Sequence, residues 1–255
     1  MGRPAIFLSP HPDDETLSMG IAIAEHVAYG RDVHVVLVTQ GRQTGAINHL
    51  NGQGYNSWWK GTHQPSAEGY SPLTVQNLSI ARMQEFRSAC GCLQVPQSKI
   101  YIEDTDNPAG DGKESVTYEE AKKVIQKYID RFPDADFFSM SWYDKHPDHI
   151  AIGQALRDLK KCGAIQGAVR FYISRLYWEE FSKIGGWEVP SDMKHPKTDV
   201  TTTADEIKQR VLRACRAYSA WNPVVGSYGV GRHSVPSQFA SLEQDVRSRV
   251  HDEQA

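Results

Sequence analysis

The stretch Ser9-Pro10-His11-Pro12-Asp13-Asp14-Glu15 sets one imidazole and three carboxylates side by side. Imidazole and carboxylate together suit Zn²⁺ and other borderline divalent cations. Two adjacent carboxylates beside a histidine also allow a division of labour, one binding metal and one handling protons. A second cluster, His146-Pro147-Asp148-His149, repeats these residue types far down the chain. His11 and Asp14 are separated by two residues, so one tight turn can aim both at a point that His149 reaches from the distal cluster. Three protein ligands leave positions open for water and substrate, which is how a catalytic zinc is held. Such an ion lowers the pKa of bound water to about 7 and polarises a carbonyl. Asp13 is placed to take the proton from that water, a contribution typically worth ~10²–10⁴-fold. Spacing alone does not decide between Asp13 and Asp14 as ligand. His146, three residues before His149, suits protonation of a leaving nitrogen or support of an oxyanion, because histidine titrates near neutrality. Each residue taken singly also has a plainer role, as a turn, a helix cap or an ordinary helical position. Two such clusters, each directly after a strand, favour a shared site.

The elements that must position these residues alternate between strand and helix. Ala5–Leu8 reads as a buried strand, Thr16–Tyr29 as a helix stopped by Gly30, and 32–39 as a β-branched strand buried on both faces. Helices are expected over Val75–Ala89, Tyr118–Phe132, Pro147–Lys160 and Asp205–Tyr218. Strands are expected over Ser98–Ile102, Ala135–Trp142 and Phe171–Trp178. Pro147 sits at the favoured first position of its helix. The pattern predicts an α/β, Rossmann-like three-layer fold with a largely parallel sheet, built as one domain over residues 1–255. Both clusters fall after strands, at the end where such sheets hold ligands. Residues 40–71 form a long loop rich in glycine and aromatics, expected to act as a wall or lid over the site. Residues 221–255 read as a loop-rich C-terminal segment.

Composition narrows the function classes. The chain has 255 residues, 40% hydrophobic and 23% charged, with a net charge of −3, a pI near 6.4 and a mean hydropathy of −0.52. No basic stripe points to nucleic acid, and no apolar run is long enough to span a membrane. The N-terminus has no leader-like pattern, and the four cysteines show no paired metal or disulfide spacing, so reduced thiols and a cytoplasmic location are expected. The sequence leaves a homo-oligomer open.

The first cluster resembles the signature of the LmbE-like, or PIG-L, family of zinc-dependent de-N-acetylases, in which a strand runs into His-Pro-Asp-Asp-Glu. His146-Pro147-Asp148-His149 is similar to the family's second signature. Val38-Thr39-Gln40-Gly41 and Arg82-Met83-Gln84-Glu85 resemble intervening segments, in family order. The resemblance implies Zn²⁺, or another divalent metal, held by His11, Asp14 and His149, with Asp13 as general base. It implies that His146 assists the tetrahedral intermediate or the leaving amine, that Asp148 orients a histidine, and that Glu15 sets the turn. It implies that Arg82 contacts substrate; an ion pair with Glu85 on the helix surface is the plainer account. Some members carry a tyrosine two residues before the first histidine of the second signature. Here that position is Asp144, and Tyr143 is the nearest substitute. Residues 228–236 vaguely resemble the corresponding part of the glycopeptide-antibiotic deacetylases, with Arg232 and His233 as candidate ligand contacts; a loop packed on the domain is the favoured account.

The activity so implied is removal of an N-acetyl or related N-acyl group from an amino-sugar or glycoconjugate. Arg42, Trp58 and Trp59 of the long loop are candidate substrate contacts, since sugar rings often rest on aromatic faces. The alternative is a non-catalytic sugar-binding protein that keeps the fold; a broken first cluster or a missing distal histidine would mark it, and neither occurs. A nucleotide-binding enzyme would need a glycine-rich cradle where His11-Pro12-Asp13-Asp14 stands.

Overall fold

The computed structural model describes residues 2–103, 105, 115–178 and 198–253. Strands β1 (Ala5–Ser9), β2 (Val33–Leu37), β3 (Ile100–Ile102), β4 (Asp136–Met140) and β5 (Val169–Tyr172) run parallel in the spatial order β3-β2-β1-β4-β5. Every residue of β1 and β2 is buried. Successive side chains leave a strand on opposite faces. Phe7, Val35 and Phe138 therefore join one core, and Ile6, Val36 and Phe137 the other. The first core is covered by α2 (Gly20–Ala28), α4 (Val75–Cys92) and α7 (Asp205–Ala217). The second is covered by α5 (Tyr118–Arg131) and α6 (Pro147–Lys161). The result is the expected three-layer α/β arrangement with a mostly parallel sheet.

This strand order places the site. From β1 the chain winds outward through β2 and β3, then returns to lay β4 on the other side of β1. The connections leaving β1 and β4 therefore diverge and open a crevice at their C-terminal ends. The first cluster leaves β1 there, and the second leaves β4 there.

Three local expectations need correcting. The helix expected over Thr16–Tyr29 is two pieces, α1 (Asp14–Leu17) and α2, because the N–H groups of Ser18 and Met19 both donate to the Asp14 carbonyl. The strand expected over Phe171–Trp178 ends at Tyr172; the Ser174 N–H turns to Asp144, and residues 175–177 form a 3₁₀ turn. The segment 221–255, whose last two residues lie outside the described ones, is more structured than a loop. It forms a β7 (Trp221–Asn222) and β8 (Ser227–Tyr228) hairpin, α8 (Val230–Ser234), α9 (Pro236–Gln244) and β9 (Arg247–His251). β9 enters the main sheet antiparallel to β5 and to β6 (Thr198–Thr201). The charged alternation Arg247-Ser248-Arg249 hides the strand, since both arginines pair with Asp199 of β6. All four cysteines are free thiols. Among the described residues no helix is long and apolar enough to cross a membrane.

Gly153 fixes the approach of α6, the helix that begins with the second cluster. A Cβ at this position would lie 2.6 Å from the Trp142 nitrogen and 2.9 Å from the Met140 carbonyl oxygen. Both are backbone atoms and cannot swing aside. Gly153→Ala is expected to lower stability by about 1–3 kcal/mol through overpacking, seen as a drop of several degrees in thermal unfolding. An unchanged melting temperature would show that α6 has slack against β4.

Candidate active site

The turn after β1 is unusual at the backbone. Asp13 sits at φ 134° and ψ −30°, a region that residues with a Cβ rarely occupy. Such strain persists only where surroundings enforce it, and it clusters at functional sites. The enforcing groups are visible. The Asp13 N–H donates to the buried Glu15 carboxylate (3.0 Å), which also accepts from the Thr16 and Tyr218 hydroxyls at 2.6 and 2.7 Å. Burial pushes the Glu15 carboxyl up to about 8 against those hydrogen bonds. The Asp13 carbonyl begins α1, accepting from Thr16 and Leu17, but its side chain makes no capping bond. Asp13 and Asp14 are thus free of the capping role that the sequence also allowed.

Three atoms from the two clusters meet. His11 Nδ1 lies 3.1 Å from Asp14 Oδ2; His149 Nε2 lies 3.2 Å from the same oxygen and 3.3 Å from His11 Nδ1. Ligand bonds of about 2.0–2.2 Å in a tetrahedron require ligand–ligand edges of roughly 3.3–3.6 Å. The triangle, at 3.1–3.3 Å, is close to the size of one face of a four-coordinate site and slightly tighter. A nitrogen of His146 also lies within 4.8 Å of nitrogens on His11 and His149. The measured edges of 3.1–3.3 Å make His11, Asp14 and His149 the compact set, with His146 beside it. Burial opposes charge on Asp14, yet His149 and His11 outweigh it and hold the carboxyl well below its ordinary range. Burial likewise disfavours a charged His149, but Asp14 and Asp144 bring it up to about 10. A field that retains protons on an imidazole is also one that attracts a cation, and the two compete for the same lone pairs.

Each histidine of the triangle rests on a carboxylate behind it. His11 Nε2 lies 2.7 Å from Asp148 Oδ2, whose second oxygen accepts from the Val116 N–H. His149 Nδ1 lies 2.8 Å from Asp144 Oδ2. Asp148 thus lies against His11. Asp144 is a carboxylate that sequence reasoning read only as a missing tyrosine.

Asp13 and His146 line the same cleft, of about 180 Å³. Burial pushes the Asp13 carboxyl up to about 7, against the pull of Arg82. His146 is the more accessible group, its side chain 45% exposed. Its Nδ1 accepts from the Asp148 N–H at the start of α6, so a neutral ring carries its proton on Nε2. Burial, then the charges of His11 and His149, pull it down to about 3, which keeps the ring neutral.

The expected substrate contacts fare differently. Arg82 borders the cleft but is tied inward: Nη2 donates to the Pro12 carbonyl (2.7 Å) and to Asp13 (3.3 Å), and Nη1 to the Gly41 carbonyl. It is not a surface partner of Glu85, which is itself buried and accepts the N–H groups of Val230 and Gly231. Gly41 has to be glycine here, at φ 63°, since a Cβ would come within 2.7 Å of the Arg82 guanidinium. Arg42 lines the cleft, buried, with Nη2 donating to Gln40. Trp58, Trp59 and Tyr143 lie outside the cleft lining. Trp59 packs on His63 and Trp221 with ring centroids 4.5 and 4.6 Å apart, and Trp58 sits edge-on to His233 at 4.8 Å. These rings bury their faces on one another, fastening the long loop to the C-terminal segment. Tyr143 turns to Trp142 and His251. Only the first part of the loop, through Thr44, walls the cleft, and α3 (Ala46–Leu50) follows. Arg232 and His233 also face inward. Arg232 binds Ser219 and Glu243, and His233 Nε2 lies 2.8 Å from His63 Nε2. The residues of that region that reach the cleft are Ser234, Val235 and Gln238. Tyr177, whose hydroxyl burial pushes up to about 12, lines the cleft beside them.

The fold as a whole is similar to a zinc-inhibited form of the teicoplanin deacetylase Orf2 (TM-score 0.62, 17% identity, 98% of each chain). It is also similar to the 4-carboxy-2-hydroxymuconate hydratase GalB of Pseudomonas putida KT2440 (TM-score 0.54, 15% identity, 98% of this chain and 95% of that one). A short stretch is 50% identical over 38 residues to a 1D-myo-inositol 2-acetamido-2-deoxy-alpha-D-glucopyranoside deacetylase of Mycolicibacterium vanbaalenii, spanning 15% of this chain and 13% of that protein. The family model described as PIG-L, GlcNAc-PI de-N-acetylase, matches residues 6–160, the stretch from β1 to the end of α6 that carries both clusters. The chain belongs to the PIG-L family.

Proposed function

We propose that this protein is a metal-dependent N-deacetylase of an amino-sugar conjugate. The observation that carries the reading is the triangle of His11 Nδ1, Asp14 Oδ2 and His149 Nε2 beside a cleft that Asp13 and His146 share. The donor set fits a borderline divalent cation, zinc foremost. When bound, the cation polarises the acyl carbonyl and makes water more acidic.

The side chains do the rest. Asp13, with its carboxyl near neutrality and its oxygen steered by Arg82, takes a proton as water adds to the acyl carbon. His146 donates a hydrogen bond from its Nε2–H to the oxygen or nitrogen of the collapsing amide and keeps its proton. The C–N bond breaks, the hydroxyl stays on the acyl carbon, and the nitrogen leaves as the amine with the proton that Asp13 took from water. Glu15 and Arg82 hold the strained turn so that Asp13 need not reorganise during the reaction. Arg42 and the polar residues after β2 bind the conjugate on one wall, with Tyr177 and Gln238 on the other.

Fold alone does not choose the chemistry, since a hydratase shares it. The choice rests on family membership and on the site. The test is acetate release from a panel of N-acetylglucosamine conjugates, run with metal-loaded protein, with chelator, and with metal restored at one equivalent. The expected result is stoichiometric acetate and free amine, lost on chelation and recovered on reloading. Release of neither product by the loaded protein across simple sugars, inositol conjugates and glycosylated natural products would contradict the reading.

A further inference from the structure

We infer that Asp144 is a positioning residue for the metal: it fixes His149 in the form that leaves Nε2 open, as Asp148 fixes His11 with Nδ1 open. The inference rests on the metal-dependent reading above and extends it to a residue that lies outside both clusters.

The geometry is reciprocal. Each imidazole uses one nitrogen on a buried carboxylate and turns the other to the Asp14 oxygen: Nε2 on Asp148 and Nδ1 inward for His11, Nδ1 on Asp144 and Nε2 inward for His149. A ring nitrogen held by a carboxylate carries the proton, so the opposite nitrogen is left as a lone pair. Without that partner, His149 would divide between two tautomers, and one of them blocks the inward nitrogen with hydrogen. The carboxylate also makes the inward nitrogen a stronger donor to a cation.

Asp144 is built for this task. It is 1% exposed, with its side chain fully buried, and it accepts the Ser174 N–H (3.2 Å) while it holds His149. Its own N–H donates to Ser141, which closes the turn leaving β4. Position 144 does not border the cleft, so the side chain two residues before His146 serves the imidazole from behind and is not placed to touch substrate. It also links His149 to Ser174, where the 175–177 wall of the cleft begins. His149 is thereby fixed from the side opposite the substrate.

The test is zinc affinity, measured on metal-free protein by competition with a chromophoric chelator, for the unaltered chain, Asp144→Asn and Asp144→Glu. Asparagine is nearly isosteric and keeps one oxygen acceptor but loses the carboxylate. Asp144→Asn is expected to bind one zinc ion with Kd raised ~10–100-fold, with Asp144→Glu recovering part of the loss. Wild-type affinity in folded Asp144→Asn would overturn the inference and reduce Asp144 to an anchor for Ser174. Should Asp144→Asn fail to fold, nitrogen-15 spectra of the zinc-loaded unaltered protein decide. They should show His149 protonated at Nδ1 and His11 at Nε2; a His149 ring protonated at Nε2 would overturn it. Failure of the unaltered chain to bind zinc at all would remove the metal-dependent reading as well, which separates the two failures.

Discussion

Asp13→Asn is expected to lower kcat by ~10²–10⁴-fold while the protein still binds its full equivalent of zinc. The asparagine is nearly isosteric, so the strained turn keeps its Asp13 N–H to Glu15 bond and the Arg82 bond to the Pro12 carbonyl. What disappears is the group that accepts a proton. Its environment matches that task. Burial raises the carboxyl, the Arg82 guanidinium restrains the rise, and the result of about 7 lies where a base works best near neutral pH. Because the loss concerns only proton transfer, KM should change little. The measurement is steady-state kinetics together with elemental analysis of the same sample. Loss of zinc along with activity would mean that Asp13 is a ligand and that the roles of the two adjacent aspartates are reversed. An unaltered kcat would remove Asp13 from the chemistry.

His149→Ala is expected to release the metal and abolish turnover together. His149 is buried, forms two sides of the ligand triangle, and is the only member of it drawn from the second cluster. Removing it leaves His11 and Asp14, two residues of one turn, which cannot enclose an ion. The affinity loss should exceed the ~10–100-fold typical of an outer carboxylate. The variant also leaves Asp144 buried with one partner fewer, so its thermal stability should fall when metal is absent, by the ~1–3 kcal/mol that an unsatisfied buried polar group costs. Equilibrium dialysis against zinc with acetate release on the same preparation checks both. Stoichiometric metal in His149→Ala would exclude His149 as a ligand and point instead to His146.

The parts of this molecule that read directly from the chain are those decided locally. Short β-branched or apolar runs make β1, β2 and β4, and β1 leads at once, β4 after a short turn, into a cluster and a helix. The convergence of His11 with His149 across 137 intervening residues follows from one topological fact, that β4 lies beside β1. Alternation of strands and helices implied a parallel sheet with ligands at one end, and that was enough to bring the clusters together. The features that did not read directly depend on distant partners. β9 pairs with β5 and β6 and buries Ser248, Val250 and His251, while its arginines turn to Asp199 of β6. Trp58 and Trp59 have the composition of a sugar platform, yet Trp221 and His233 from the C-terminal segment draw them away from the cleft. Arg82 has the look of a substrate contact, but the carbonyls of Pro12 and Gly41 surround it. Asp144 is five residues from His149, a spacing with no helical or strand meaning; only the turn closed by its N–H to Ser141 aims it there. The pattern is physical: chain-adjacent geometry is set by few torsions, whereas the direction of a loop side chain depends on what packs beside it.

The central claim is that one divalent cation sits between His11, Asp14 and His149. It is tested most directly by a crystal of zinc-loaded protein with anomalous diffraction recorded on both sides of the zinc edge. The account predicts a single strong anomalous peak about 2.0–2.2 Å from His11 Nδ1, Asp14 Oδ2 and His149 Nε2. A peak elsewhere in the cleft, or no bound zinc in protein that releases acetate, would contradict it.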